Sequence, residues 1–214
     1  MKKIISIAVL LSIHYISQAQ KTVTVQAGIS RSKLDWNIIP PGIKIFNKTI
    51  TGQSVFVGVD YFNLKIFNLS TNLGYVRKGG ASDIMYSDLS GNYLYTKTES
   101  ATLDYISFNT AVNLKLPGMF SPFISAGPRV DILVSSNHFF DSFKDNDELE
   151  KISYGLILGG GFKLQLARLI AGVRVDYLLN ADDKVAEHKS NGTATATVAD
   201  KTYLVNAFVG FRLK

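Results

Sequence analysis

After Gln20, apolar and polar residues alternate with a period of two along most of the chain, the mark of strands buried on one face. No segment there holds a 3.6-residue period for three turns or an apolar run near the ~20 residues a spanning helix needs. Eight alternating segments stand out: Thr22–Arg31, Gln53–Tyr61, Phe67–Arg77, Leu103–Leu116, Pro122–Val134, Ile152–Leu164, Leu169–Leu179 and Lys201–Leu213. Short links (FNLKI, PGMFS, QLAR) join the second to the third, the fourth to the fifth and the sixth to the seventh, while long polar stretches join the rest. An up-and-down antiparallel ring places every short turn at one rim and every long loop at the other. The pattern predicts an all-β fold: an eight-stranded antiparallel up-and-down transmembrane β-barrel with short periplasmic turns and long extracellular loops.

Splitting the segments by parity gives two unlike faces. One is free of charge and carries residues such as Val23, Val25, Val57, Leu73, Phe108, Ile132, Leu156, Val175 and Val209. The other mixes small, amide and charged residues and holds a candidate lumen charge network of Asp60, Arg129, Asp131, Lys163, Arg174, Asp176 and Arg212. Within the segments, every glycine except Gly160 falls on this second face.

Parity alone does not say which face points outward. A secreted lipocalin-like carrier would bury the apolar face around a ligand, and a membrane barrel would turn it to lipid. A water-facing sheet would carry Lys and Glu, yet Glu99, Glu148, Glu150 and Glu187 all lie in loops. Asp balanced against Arg suits an enclosed network in which guanidinium forks pair with carboxylates. Small residues make room for those long side chains, because an eight-stranded barrel is only just wide enough to be filled by side chains. Aromatics mark both ends of the apolar face. Tyr75, Tyr154, Tyr177 and Tyr203 fall toward the long-loop rim, and Tyr61, Phe67, Phe162 and Phe211 toward the short-turn rim. Eight residues of tilted strand rise roughly 20 Å, close to the ~25 Å apolar band between aromatic girdles. Outer-membrane lipid is therefore the expected solvent of the apolar face.

The first residues change the picture of where the chain resides. MKK precedes the apolar run Ile4–Ile13, and Ser17 and Ala19 sit at the −3 and −1 positions of a small-residue cleavage site, as in a secretory signal peptide. Residues 1–19 are read as that signal and 20–214 as one barrel domain in the outer membrane of a Gram-negative bacterium. Removing Lys2 and Lys3 lowers the formal charge from +6 to +4, and the basic residues form no run or stripe, so no nucleic-acid partner is expected. The chain has no cysteine, which excludes a disulfide framework and an N-terminal lipidated Cys.

Candidate chemistry is sparse. No strand sets a His beside a Ser on one face, so a lipid hydrolase or acyltransferase is not expected, nor is any cofactor. His138 and His188 lie in loops with several acids, without a recognised ligand spacing. The loops hold the better interaction candidates. Loop 1 carries Trp36, Ile38, Ile39 and Phe46, which would either anchor or dock a partner, or fold down as a lid. Loop 2 carries Tyr86, Tyr93 and Tyr95 on the arms of a predicted hairpin whose edge could accept a partner strand.

The central stretch LDYISFNTAVNLKLPGMFSPFISAGPRVDILVS, with GLILGGGFKL, GVRVDYLL and the closing VNAFVGFRLK, resembles the small outer-membrane β-barrel family of Bacteroidota, labelled porin family or PorT-like. That resemblance covers the mature chain. It implies an envelope location and allows a role in surface interaction or as an accessory to secretion. A narrow small-solute porin is the alternative.

Overall fold

A computed structural model describes residues 21–38, 46–146, 148–181, 185–190 and 193–213. The expected signal peptide, the Ile39 position of loop 1 and the Asp147, Asp182 and Asp183 positions of the later loops lie outside the described residues. Nine strands form: β1 (Thr22–Ile38), β2 (Lys48–Tyr61), β3 (Phe67–Ser87), β4 (Tyr93–Lys115), β5 (Phe120–Ser136), β6 (Ile152–Leu166), β7 (Leu169–Asn180), β8 (Ala186–Ser190) and β9 (Thr193–Arg212). Eight of them, β1–β7 and β9, pair antiparallel with their neighbours in chain order, and β1 closes the ring against β9 from Thr22↔Arg212 to Ile38↔Ala196. β8 is a short addition to the outer end of β9 in the last long loop. A 3₁₀ turn at His138–Phe140 and helix α1 (Asp141–Asp145) interrupt the all-β pattern in the loop before β6.

The strands form because β-branched and aromatic residues alternate with small polar ones. The parity read from sequence is the parity of the barrel. Along β1, Thr22, Thr24, Gln26 and Ser30 are buried, whereas Val25 and Ile29 are about half exposed. The same holds on β2, where Val55, Val57 and Val59 point outward and Ser54, Gly58 and Asp60 inward. The apolar exterior removes the lipocalin-like alternative, whose apolar residues would line the inside.

Pro128 faces outward on β5 and has no N–H to give to the ladder. Its positions opposite β4 are left unpaired, yet the register is the same on both sides of the gap, Asn109↔Arg129 and Val112↔Ala126. The local break therefore costs no slip. The bulge in this pair lies nearer the rim, between Asp104 and Tyr105. Beside the break, a Cβ on Gly127 would run into the backbone carbonyl of Thr110, so only glycine lets the two strands close here. The two-residue turn between β6 and β7 is made by Ala167, held at φ 49°, and Arg168.

Candidate functional site

Seen along its axis, the lumen is filled in layers. At the short-turn end Lys163 Nζ lies 3.2 Å from Asp60 and over the rings of Phe123 and Phe208, at 4.9 and 6.0 Å. Above it Arg174 grips Asp176 through Nε and Nη2, both at 2.7 Å, a bidentate fork within one strand. Side-chain amides tie β1, β3 and β4 together at this level: Gln26 donates to Asn72 at 2.8 Å and Asn72 to Asn109 at 2.9 Å.

An apolar layer of Phe56, Val76, Ala111, Ile157, Leu178 and Leu204 follows. Over that sits the largest charge cluster. Asp131 receives Arg129 Nη1 and, at 2.8 Å, Lys78 Nζ; Lys78 also reaches Asp200 at 3.1 Å and lies 4.8 Å over the Tyr105 ring. Asn180 donates to the Asp200 carboxylate and accepts from Arg129 Nη2 at 2.6 Å. These charges come from β3, β5 and β9 and are almost wholly buried. Taking them out of water costs several kcal/mol per ion, which only close pairing and further hydrogen bonds offset. The pairing is balanced: Lys78 and Arg129 face Asp131 and Asp200, Arg174 faces Asp176, and Lys163 faces Asp60.

Two expectations change here. Arg212 stands at the short-turn rim and donates to Gln165 at 2.8 Å, not to an acid of the charge network, because β9 ends at that residue. The interior is also not uniformly polar. Phe56, Val76, Tyr105, Ile157, Ile170, Leu178, Leu204 and Phe208 point inward, supplying the volume that glycines and serines do not. Lys78 and Asp200 join the network although neither was expected in it. Cavities of about 10 Å³ beside Phe56 and beside Phe123 have room for roughly one water each.

The long-loop mouth is closed by a cap. Leu34, Trp36, Phe46, Leu103, Tyr105, Phe140, Leu149, Val185 and Val198 form one buried cluster. Trp36 packs against Phe139 and Phe143 at 5.8 and 5.9 Å, and Phe46 against Phe139 at 4.1 Å. Of the two readings of loop 1, Trp36 and Phe46 take the lid and not the docking one: they turn inward and pack over the mouth above the charge cluster. The Ile38 backbone pairs with Ala196, and its side chain lies outside the described residues, as does that of His188.

Of the aromatic positions, Tyr177 and Tyr203 approach to 4.6 Å on the exterior, and Tyr154 is exposed. Tyr75 donates to Asp104 at 2.6 Å, which also receives Arg77 at 2.7 and 3.0 Å. At the other rim Phe162 stacks on Phe120 at 5.2 Å, Phe67 lies 6.0 Å from Phe62, Phe211 is exposed, and the Tyr61 hydroxyl is 3.1 Å from Thr71 Oγ1.

Beyond the rim, β3 and β4 continue as a two-stranded hairpin. β2 pairs with β3 only as far as Lys48↔Ala81, and β5 with β4 only as far as Leu103↔Ser136, so Ser82–Ser87 and Tyr93–Glu99 pair with each other alone. At ~3.4 Å per residue the arms extend roughly 20 Å. Asp88 builds the tip: its carboxylate accepts from the Ser90 and Asn92 amides at 2.9 and 2.8 Å and from Asn92 Nδ2 at 3.0 Å. These bonds, first those from Asn92, hold its pKa below the ordinary 3.8. Gly91 completes the turn at φ 85°. Tyr86 stacks on Tyr95 at 4.9 Å, while Met85, Leu89, Tyr93 and Leu94 are more than half exposed.

An apolar exterior around a packed, charge-balanced interior defines a transmembrane β-barrel. The sequence agrees: a family model described as "Outer membrane protein beta-barrel domain" matches residues 17–203, and the chain belongs to that family, placing it in the outer membrane. No curated protein matches the chain in sequence. Among solved structures, OprG of Pseudomonas aeruginosa is similar with a TM-score of 0.51 at 10% identity, over 91% of this chain and 97% of that one. Neisserial surface protein A gives 0.48 at 14%, over 89% and 97%. Ail of Yersinia pestis, solved in complex with the heparin analogue sucrose octasulfate, gives 0.44 at 11%, over 90% and 99%. At these identities the likeness is one of fold alone.

Proposed function

We propose that this protein is a non-conducting surface barrel that engages a protein partner through the β3–β4 hairpin. The observation that carries the reading is the combination of a filled lumen with a hairpin whose outer edges are unpaired on both arms. Such edges offer backbone N–H and C=O groups to an added strand, and the exposed Met85, Leu89, Tyr93 and Leu94 offer apolar contact beside them. A partner of this kind is an extended peptide segment of another envelope protein. The role as an accessory to secretion, and membership of the PorT-like barrels of Bacteroidota, belong to the same proposal and rest on the sequence resemblance. Cleavage of a signal peptide near Ala19 is likewise proposed, on the basic start, the apolar run Ile4–Ile13 and the small residues Ser17 and Ala19.

Reconstitution into planar bilayers tests the first half. No stable open events are expected, and steady unitary conductance would restore the narrow small-solute porin. Deleting Asp83–Ser100 tests the second half. The barrel should still fold, judged by its faster migration on an unheated gel, while partner capture after crosslinking on cells is lost. Unchanged capture would end the hairpin reading.

A further inference from the structure

The inward side chains nearest the short turns form a group that the layers above them do not use. Lys115 on β4, Lys163 on β6 and Arg212 on β9 share the inward parity, each next to an outward apolar residue, Leu114, Phe162 and Phe211. Lys163 is paired with Asp60, the only acid at this end among the described residues. Lys115 donates to Asn63 and Arg212 to Gln165, both neutral amides. The charges that Lys115 feels are those of Lys163, Asp60 and Arg212. Three cations therefore share one carboxylate around this mouth, and two positive charges stay unmatched. The turns that frame it, residues 62–66, 116–119 and 167–168, with Lys21 beside them, add the exposed Lys65 and Arg168 and no Asp or Glu, so the field at this end draws anions in.

The same end holds buried polar atoms with no hydrogen-bond partner among the described residues: both amide atoms of Asn68, the hydroxyls of Thr22 and Thr24, and Nε of Arg212. Asn68 is only 1% exposed, and Thr22 stands between Arg212 and Asp60 in the registers of β9, β1 and β2. A buried polar group left without a partner costs about 1–3 kcal/mol, so this layer gains from a ligand that brings acceptor oxygens and negative charge together. Two unmatched positive charges call for a dianion. The cavity beside Phe123, lined by Thr24, Asp60, Ser70, Asn113 and Lys163, is only about 10 Å³, room for a water, so the ligand stops at the mouth. That mouth lies inside the ring of strands, whereas acyl chains run along the outside, so the ligand is a soluble molecule and not a lipid headgroup.

We propose that Lys115, Lys163 and Arg212 form a binding site at the periplasmic mouth for a phosphate dianion, free or as the phosphomonoester of a soluble molecule. Arg212 meets the phosphate through the guanidinium edge that carries its unpartnered Nε, the geometry in which Arg suits phosphate. Lys115 closes on it from β4. Lys163 neutralises Asp60, so that the one acid nearby does not repel the ligand. With the lumen packed above, the site takes its ligand from one side and passes nothing through. It is independent of the hairpin and of any partner bound there.

The test titrates the folded full-length barrel, in nonionic detergent at constant ionic strength, with inorganic phosphate by calorimetry. Acetate, glycerol 3-phosphate and micellar phosphatidic acid serve as competitors. One phosphate per barrel is expected, displaced by glycerol 3-phosphate but by neither acetate nor the lipid. R212Q and K115Q should each weaken binding about tenfold, the loss of one charge-assisted hydrogen bond, and together about a hundredfold. R212K should recover part of what R212Q loses, and K48Q, at the opposite rim, should leave binding unchanged. Absence of saturable binding, wild-type affinity in the folded double variant, or equal displacement by acetate would each overturn the site. Stronger displacement by phosphatidic acid than by glycerol 3-phosphate would overturn it too, by giving these charges to lipid. If the Arg212 variants fail to fold, K115Q decides alone, since it costs only the bond to Asn63.

Discussion

Replacing Lys78 by Met should cost this barrel more stability than almost any other single lumen change. Lys78 Nζ sits between Asp131 and Asp200, at 2.8 and 3.1 Å, with its side chain only 1% exposed. Removing it leaves two buried carboxylates with one guanidinium between them, and the cluster passes from neutral to one net negative charge. Breaking a buried pair in this way costs ~3–5 kcal/mol, because the abandoned charge keeps its desolvation penalty. With a urea slope of ~2 kcal/mol per M, the unfolding midpoint in lipid vesicles should fall by about 2 M. K78M/D200N restores neutrality and should recover most of the loss, giving a coupling energy of ~2–3 kcal/mol in a double-mutant cycle. Tryptophan emission reports the transition, since Trp36 is buried in the cap over this cluster. A K78M midpoint within ~0.5 M of the parent, or a double variant no better than the single, would refute charge balance as what holds the cluster.

Two further outcomes follow from other parts of the molecule. Val57 is 53% exposed and is flanked on the exterior by Val25 and Leu73, so V57R should destabilise insertion by ~2–4 kcal/mol, with V57A much milder; equal folding yields of V57R and wild type in vesicles would contradict a lipid-facing Val57. The Asp88 carboxylate is held below its ordinary value by bonds from Asn92, Ser90 and Gly91, so its ordering of the tip is complete above pH ~3.8 and fades as pH falls through the lowered value. Amide exchange at Ser90 and Asn92 should therefore gain protection from acid to neutral pH in wild type and show no such step in D88A.

The faces of the barrel were legible because a strand has a period of two, so fixing the parity of one residue fixes the side of its regular neighbours. What parity does not report is how an enclosed interior is filled. Phe56 and Val76 share a face with Asp60 and Asn72, and nothing in a two-residue rhythm separates an apolar lumen residue from a lapse in the pattern. Lys78 and Asp200 escaped for a related reason. Each lies one residue beyond the segment that alternation delimited, Arg77 ending one and Lys201 opening the other, because Gly79, Gly80 and Ala81 supply no apolar beats after Lys78. Trp36 and Phe46 were legible as apolar loop residues but not in direction. Only the tertiary arrangement that brings Phe139 and Phe143 over the mouth turns them inward.

The upper charge cluster also bears on how the chain assembles. Its members come from β3, β5 and β9: Arg129 and Asp131 already balance each other on β5, and Lys78 is balanced only when Asp200 arrives with the last strand, which joins the ring against the first. A slip of β9 by one residue against β1 would turn Asp200 out of the interior and leave Lys78 and Arg129 with a single acid. The cluster thus discriminates among closed forms rather than merely supporting one of them. An insertion intermediate closed in the wrong register carries an unpaired internal charge, and reopening is downhill until the native seam is found.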